Sequence, residues 1–319
     1  MFSDQQKSYA AGYTDAEGCI GVYRKPTGWA LIVAFKQTRP DVIDQLHAEY
    51  GGSFTFEKQK RGRPLKHWRL QALDEAKRFL VDVLPYLREK REQADLVLAK
   101  FDPRAAHVDN MILAQRLGDL KDKRISDVAI QSRLAIAARD PNRKCLDCGA
   151  PAFARDFCSK HYASAKYHGR IVANKKGEGV PFTYGRPLAP LDAPYFAGYF
   201  DGDGSVGLRP EGRRWHPRIA FGQTQPDVVI DLHQIYGGSL KVQKGKGVDP
   251  KPLLFYQLTQ RQAVLAMLRD IQPFSVEKRD QVDLIVNTFD PNMSFENGQA
   301  MQEQLSTMKK WVMQVESVL

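Results

Sequence analysis

Tyr9-Ala-Ala-Gly-Tyr-Thr-Asp-Ala-Glu-Gly18 recurs later in the chain as Tyr195-Phe-Ala-Gly-Tyr-Phe-Asp-Gly-Asp-Gly204. Each stretch is typical of a helix that ends in an acidic residue, Glu17 in one and Asp203 in the other. Small residues spaced four apart, Gly12 with Ala16 and Gly198 with Gly202, lie on one face of each helix. Such a face lets two helices approach closer than the usual distance of about 8–10 Å between axes. The sequence therefore predicts that the two helices pack together, with both acids at the same end.

The similarity extends well beyond these helices. With an offset of 186, Tyr50-Gly-Gly-Ser53 matches Tyr236-Gly-Gly-Ser239; after a two-residue insertion the offset is 188, and Phe101-Asp-Pro103 matches Phe289-Asp-Pro291. A period this long indicates a duplicated domain rather than a solenoid. We assign the first copy to residues 1–124, an insert to 125–190 and the second copy to 191–319.

Within each copy the pattern predicts a helix, a hairpin, a second helix, a second hairpin and two further helices. Four strands per copy are enough for one curved antiparallel sheet with helices on one face. The predicted fold class is therefore α+β, as a pseudo-twofold pair of αββαββα domains.

The two acids suggest a particular chemistry. A carboxylate is disfavoured at a helix C-terminus by the helix dipole, and two nearby carboxylates repel each other. A divalent cation between Glu17 and Asp203 removes both penalties, with the preceding Ala16 and Gly202 completing the predicted metal-binding set. Hard oxygen ligands favour Mg²⁺, with Mn²⁺ as a substitute, and carboxylate-bridged metals are a common means of hydrolysing phosphodiesters. The alternative is that each acid merely solvates a helix end.

Composition points to a polyanionic partner. The chain has 319 residues, with 47 Lys and Arg against 37 Asp and Glu, a net charge of +10. An excess of positive charge favours a polyanionic partner such as nucleic acid. No apolar run approaches the length of about 20 residues that a membrane span needs. The N-terminus resembles no signal peptide, so we expect a protein that is not secreted, in the cytoplasm or nucleoid of a bacterium or phage-infected cell.

The repeated stretches resemble the LAGLIDADG motif of homing endonucleases, in the single-chain form with two motifs. The resemblance implies a site-specific double-strand DNA endonuclease that acts as a monomer on a long pseudo-palindromic site. It implies that Glu17 and Asp203 bind metal and that Lys90 and Lys278 approach the scissile phosphate. Arg39 and Gln225 match the polar position after the second strand, and arginine there departs from the usual glutamine. Two alternatives share this fold: an RNA-binding intron maturase and a DNA-binding regulator.

The resemblance also implies a saddle formed by two sheets over the DNA major groove. Side chains alternate along a strand, so that apolar Ile20, Val22, Val206 and Leu208 face the core and their neighbours face the DNA. The predicted DNA-binding residues are Tyr23, Lys25, Lys36, Arg209, Arg218, Lys241 and Gln243. The alternative is that these side chains only keep the sheet soluble.

The insert carries a second predicted metal site, for structural Zn²⁺. Cys145 and Cys148 form one closely spaced pair, and Cys158 and His161 form another. Two such pairs on a short loop are typical of a tetrahedral zinc site, and the segment is too small to bury a core of its own. Residues 143–170 resemble a small zinc module attached to phage endonucleases. Their basic residues favour a contact with phosphate, and a linker without that contact is the alternative.

Overall fold

The described residues of the computed structural model are 1–57, 64–121, 148, 187–243 and 253–309, and they contain two copies of one αββαββααα unit. The first copy comprises α1 (Asp4–Glu17), β1 (Cys19–Lys25), β2 (Gly28–Gln37), α2 (Asp41–Tyr50), β3 (Ser53–Glu57), β4 (Leu65–Leu70), α3 (Leu73–Val83), α4 (Arg91–Lys100) and α5 (His107–Lys121). The second comprises α6 (Asp192–Asp203), β5 (Ser205–Glu211), β6 (Arg214–Gln223), α7 (Asp227–Tyr236), β7 (Ser239–Gln243), β8 (Leu253–Leu258), α8 (Arg261–Ile271), α9 (Arg279–Thr288) and α10 (Phe295–Lys309).

Each copy forms one four-stranded antiparallel sheet. Sheet 1 has the order β1-β2-β4-β3, and sheet 2 has the order β5-β6-β8-β7. Ile20, Val22, Val206 and Leu208 are buried, as the alternation along the strands predicts. The α+β fold class and the two four-stranded antiparallel sheets are thus confirmed.

Aromatic side chains join the first helix of each copy to its own sheet. The rings of Tyr13 and Phe35 are 5.7 Å apart, and those of Tyr199 and Phe221 are 5.8 Å apart. Large rings bury much apolar area, so that each copy has its core between the sheet and its helices. The two cores then meet along α1 and α6.

The third helix after the second hairpin, α5 in one copy and α10 in the other, was absent from the sequence prediction. Both run along the edge strand that follows the acidic helix, and Gln302 of α10 accepts a hydrogen bond from the Leu208 backbone N–H (2.6 Å). An edge strand otherwise exposes unpaired backbone groups, and a covering helix supplies partners for them. Gly207, expected on the open face, is consequently buried beneath Gln302.

Within the described ranges, no helix is both long and apolar enough to cross a membrane.

Candidate active site

The site begins with the close packing of α1 on α6. A Cβ atom added to Gly12 would lie 2.0 Å from the carbonyl oxygen of Tyr195, and one added to Gly198 would lie 2.0 Å from that of Tyr9. The two helix backbones therefore touch, and only glycine leaves room for the contact. The small residues predicted to allow close approach lie in the interface between the helices.

This packing brings the C-terminal ends of the helices together. A Cβ added to Gly202 would lie 2.4 Å from the Cβ of Ala16 and 3.0 Å from the Cγ of Glu17. Asp203, the next residue, is then beside Glu17, and both acids are partly exposed at the end of the helix pair.

The surroundings of these two acids disfavour their charged forms and raise their pKa values. Burial raises the pKa of Glu17, the charge of Asp203 raises it further, and a hydrogen bond from Gln37 opposes the shift. Burial likewise raises the pKa of Asp203, against a hydrogen bond from the Gln223 side chain (2.6 Å) and the charges of Lys90 and Lys278. Two acids held together in this way favour a bound cation.

The two lysines lie at the same end of the helix pair. The Lys278 ammonium donates to the carbonyl oxygens of Phe200 (2.7 Å), Asp201 (2.6 Å) and Gly202 (3.0 Å). The Lys90 ammonium donates to the carbonyls of Thr14 (2.8 Å) and Asp15. Each lysine thus satisfies backbone acceptors that a helix C-terminus leaves unpaired, and adds positive charge beside the acids. Burial lowers the pKa of Lys278, while nearby carboxylates raise it.

The side chains that contact the acids are Gln37 and Gln223, at the last position of β2 and β6. These glutamines correspond to each other in the repeat (223 − 37 = 186), which is the signal that could have identified them. Arg39 and Gln225, which the resemblance implies lie near the active-site water, are two residues further along the chain. Arg39 donates to the carbonyls of Glu277 and Met308, and Gln225 lines a cavity with Glu89.

Asp15 and Asp201 face away from the shared acids and hold the lysine-bearing segments. Asp15 accepts the backbone N–H groups of residues 88–90 at 2.7–3.2 Å. Asp201 accepts those of residues 276–278 at 2.6–3.1 Å. Because α4 and α9 begin directly after these segments, the two aspartates act as N-terminal caps supplied from another helix.

Tyrosines of each helix reach acids of the opposite copy. The hydroxyls and carboxyls pair as Tyr9 with Asp201 (2.7 Å), Tyr195 with Asp15 (2.6 Å), Tyr13 with Glu277 (2.8 Å) and Tyr199 with Glu89 (3.0 Å). All four tyrosines are buried. The bonds to Asp201 and Asp15 join the two acidic helices to each other, and the bonds to Glu277 and Glu89 join each helix to the lysine-bearing segment of the other copy.

The donor set at the helix ends fits a hard divalent cation. It offers two carboxylates with raised pKa values and the last carbonyls of two helices, all of them oxygen ligands. The Gly202 carbonyl accepts from Lys278, which leaves it a second lone pair. Across the described ranges, no group of three or more His, Cys, Asp or Glu side chains is placed to hold a metal. A two-carboxylate site lies below that number and needs further oxygens from phosphate or water.

The predicted DNA-binding residues lie on the outer faces of the sheets. Tyr23, Lys36, Arg209, Arg218, Lys241 and Gln243 are exposed, and Lys25 is half-buried. Some already have partners within the protein: Lys25 donates to Gln71 (2.7 Å), Lys36 pairs with Glu57 (2.8 Å) and Arg209 pairs with Glu211 (3.3 Å). Sheet 1 also carries Arg69, which was not among the predicted DNA-binding residues. Its guanidinium is hydrogen-bonded to His67 (3.0 Å).

Three of the four predicted zinc ligands lie outside the described residues, so the zinc site stays a prediction. Cys145, Cys158 and His161 lie outside the described residues, and Cys148 is described only as an exposed residue.

Comparisons with known proteins identify the fold. No protein-family model and no curated protein sequence matches the chain. The meganuclease I-SmaMI bound to uncleavable DNA matches at 14% identity over 97% of this chain and 100% of that one, with a TM-score of 0.53. The LAGLIDADG meganuclease I-AabMI bound to uncleaved DNA matches at 13% identity over 96% and 98%, with a TM-score of 0.53. I-CpaMI, also bound to uncleaved DNA, matches at 11% over 98% and 100%, with a TM-score of 0.50. The chain has the fold of LAGLIDADG meganucleases.

Proposed function

We propose that this protein is a site-specific double-strand DNA endonuclease of the homing type, which hydrolyses phosphodiesters with divalent metal held by Glu17 and Asp203. One observation carries the proposal: two carboxyls with raised pKa values meet at the ends of two helices in backbone contact, with a lysine on each side. Structural cores do not need such a costly arrangement, whereas catalytic sites commonly contain one.

Each residue of the site has a role in this chemistry. Glu17 and Asp203 bind the metal, and the carbonyls of Ala16 and Gly202 are candidate further ligands. Bound Mg²⁺, or Mn²⁺ in its place, lowers the pKa of a coordinated water and neutralises charge on the phosphate. Gln37 and Gln223 orient the carboxylates. Lys90 and Lys278 supply positive charge where charge develops on the phosphate.

Double-stranded DNA is the proposed partner, bound by one copy of the chain through its internal pseudo-twofold symmetry. The outer faces of the two sheets, with Arg209, Arg218 and Lys241 among their exposed side chains, would follow the groove on either side of the acids. Duplicated but diverged sheets would read two related half-sites, which is the reason to expect a long pseudo-palindromic target. A location in the cytoplasm or nucleoid of a bacterium or phage-infected cell is part of this proposal.

Substitution of one acid tests the assignment. The wild-type protein is incubated with a randomised duplex library and Mg²⁺, and the cut ends are sequenced to find the target. Asp203→Asn should then abolish cutting of at least one strand and leave affinity for that target within about threefold, because only the charge is lost. Asp109→Asn removes an exposed carboxylate from α5 and is the matched control. Unimpaired cleavage by Asp203→Asn would contradict the proposal, and binding without any cutting by the wild type would favour a maturase or regulator.

Structural zinc in residues 143–170 is a separate proposal that rests on the spacing of Cys145, Cys148, Cys158 and His161 alone. One equivalent of zinc in the purified protein, lost on Cys158→Ser substitution, would support it; an absence of zinc in the wild type would refute it.

A further inference from the structure

The segments that carry the two lysines are equivalent in the repeat but are held in different ways. We call residues 88–90 and 276–278 the lysine loops; their numbers differ by 276 − 88 = 188. Each loop is capped by the aspartate of its own copy and bonded to a tyrosine of the opposite copy. An arginine also helps to hold each loop in place. The two arginines are at positions that are not equivalent in the repeat.

Arg39, from the first copy, holds the lysine loop of the second. Its guanidinium donates to the carbonyl of Glu277, directly before Lys278, and to the carbonyl of Met308 in α10 (2.5 Å). It therefore joins three elements: the end of β2, the loop and the last turn of α10. The planar fork of a guanidinium suits this double contact.

The equivalent place in the other half is a cavity. Gln225 corresponds to Arg39 (225 − 39 = 186) and is too short to span the same distance. It lines a cavity of about 70 Å³ with Glu89 and Leu120, the repeat equivalents of Glu277 and Met308. The cavity thus lies where the counterpart of the Arg39 side chain would be.

Arg88 instead holds the first lysine loop, residues 88–90. Its guanidinium pairs with Asp192 (2.5 Å) and Asp231 (2.7 Å), both in the other copy, and stacks 4.1 Å from the ring centre of Tyr195. Its repeat equivalent is Val276, which can make none of these contacts. Arg88 also lines the cavity, so an arginine at position 225 would compete with it for the same space.

We propose that Arg39 and Arg88 are positioning residues, each of which fixes one lysine of the active site: Arg39 fixes Lys278, and Arg88 fixes Lys90. The proposal rests on the proposed function and adds to it that the two halves of the site are adjusted independently. Loss of one arginine should displace one ammonium, and displacement of a catalytic group by about 1 Å can reduce a rate by about 100-fold. The cleavage of the two strands should therefore respond separately.

Strand-resolved cleavage of the selected target, with a different label on each strand, tests this separation. Arg39→Gln copies the residue at position 225 and should slow the cutting of one strand by about tenfold or more, at unchanged DNA affinity. Arg88→Val copies position 276 and should slow the other strand. The double substitution Arg88→Val with Gln225→Arg recreates in the first lysine loop the arrangement seen in the second, and should restore the lost cut. Equal slowing of both strands by either variant, or the same strand affected by both, would overturn the proposal.

Amide hydrogen exchange gives a readout that does not depend on cleavage. Arg39→Gln should speed exchange in peptides that cover residues 276–281 and leave those covering 88–93 unchanged; Arg88→Val should do the reverse. If the wild type cuts no DNA, the proposed nuclease function fails, and this exchange pattern still decides whether the arginines position the loops. If Arg88→Val does not fold, Arg39→Gln decides alone, because unchanged exchange at 276–281 would refute the proposal.

Discussion

Two acids lie near the C-terminal end of each of the helices α1 and α6. The two differ in their surroundings and therefore in their roles. Asp201 and Asp203 are two residues apart, about 200° around a helix. Asp201 is buried and accepts three backbone N–H groups of a lysine loop, together with the hydroxyl of Tyr9. Asp203 lies in the shared site, where it accepts a hydrogen bond from the Gln223 side chain. The same carboxyl group is structural at one position and a candidate metal ligand at the other.

Glu277 links stability to pH through its buried position next to Lys278. Burial is the main cause that raises its pKa to about 8, while the hydrogen bond from Tyr13 acts in the opposite direction. An acid whose pKa is raised on folding keeps its proton in the folded state while the unfolded chain loses it. Its contribution to stability is therefore greatest below the unfolded pKa and is lost as pH rises toward the folded pKa.

We predict that Glu277→Gln flattens the dependence of stability on pH. An amide can keep the contact with Tyr13 but cannot ionise. Between pH 5 and 8, the free energy of unfolding of the wild type should fall relative to the variant by up to about 1.4 kcal/mol per pH unit, the equivalent of one proton. Urea unfolding at several pH values measures this difference, and Glu303→Gln, an exposed acid of α10, is the control. Parallel curves for Glu277→Gln and the wild type would rule out the protonated form of Glu277.

Among the helices and strands, the contact of α1 with α6 has the strictest geometric requirement. Gly12 and Gly198 each lie against a backbone carbonyl of the opposite helix, so any side chain there must separate the helices. Separation would move Glu17 and Asp203 apart and would open the tyrosine contacts across the interface. The stability of the fold and the geometry of the site therefore depend on the same pair of residues.

We predict that Gly12→Ala destabilises the protein by at least about 1–3 kcal/mol, the usual cost of overpacking. A matched control is Gly118→Ala in the interior of α5, where an added Cβ has no atom within 4 Å. That variant should gain about 0.5–1 kcal/mol, because alanine favours the helix. Thermal and urea unfolding of the two variants should move in opposite directions; a Gly12→Ala variant as stable as the wild type would show that the helices do not touch at that point.

The sequence predicted the elements that obey a repeated pattern and missed those that depend on three-dimensional contact. Glycine inside a helix is costly, so its recurrence in both copies indicated close packing. In contrast, α5 was missed because Met111 and Ile112 are exposed while Leu113 and Leu117 are buried, which gives a narrow apolar stripe. The role of Arg88 was also hidden, because a comparison of the copies identifies what they share, and its counterpart is Val276.

Gly18 ends α1 in extended backbone rather than in the left-handed conformation that glycine commonly adopts after a helix. Its φ of −73° is extended backbone, and its N–H bonds to the Thr14 carbonyl. The chain passes directly from α1 into β1, which sets the acid beside the start of the strand. A left-handed turn would direct the strand elsewhere.

The complete arrangement is two sheets joined at one helix pair, with the acids at the junction and the basic outer faces on either side. Because the chain has a net charge of +10, many parts of its surface attract DNA without specificity. The affinity alone therefore does not show which face binds the DNA. The dependence of affinity on salt is more informative, because it counts the phosphates that the protein neutralises. A surface can therefore be tested by removal of its charges and measurement of the salt slope.

We predict that the double variant Arg218→Ala with Lys241→Ala, on the outer face of sheet 2, binds the target more weakly and has a shallower salt dependence. Each lost phosphate contact should reduce the slope of log K against log salt by about 0.9, so the two together should reduce it by up to about 2. Arg261→Ala with Arg269→Ala removes the same charge from exposed positions of α8, a helix that packs on the core side of the same sheet. Fluorescence anisotropy titrations from low to moderate salt compare the two pairs. If the α8 pair changed the slope as much as the sheet pair, the DNA would not lie on the outer face of sheet 2.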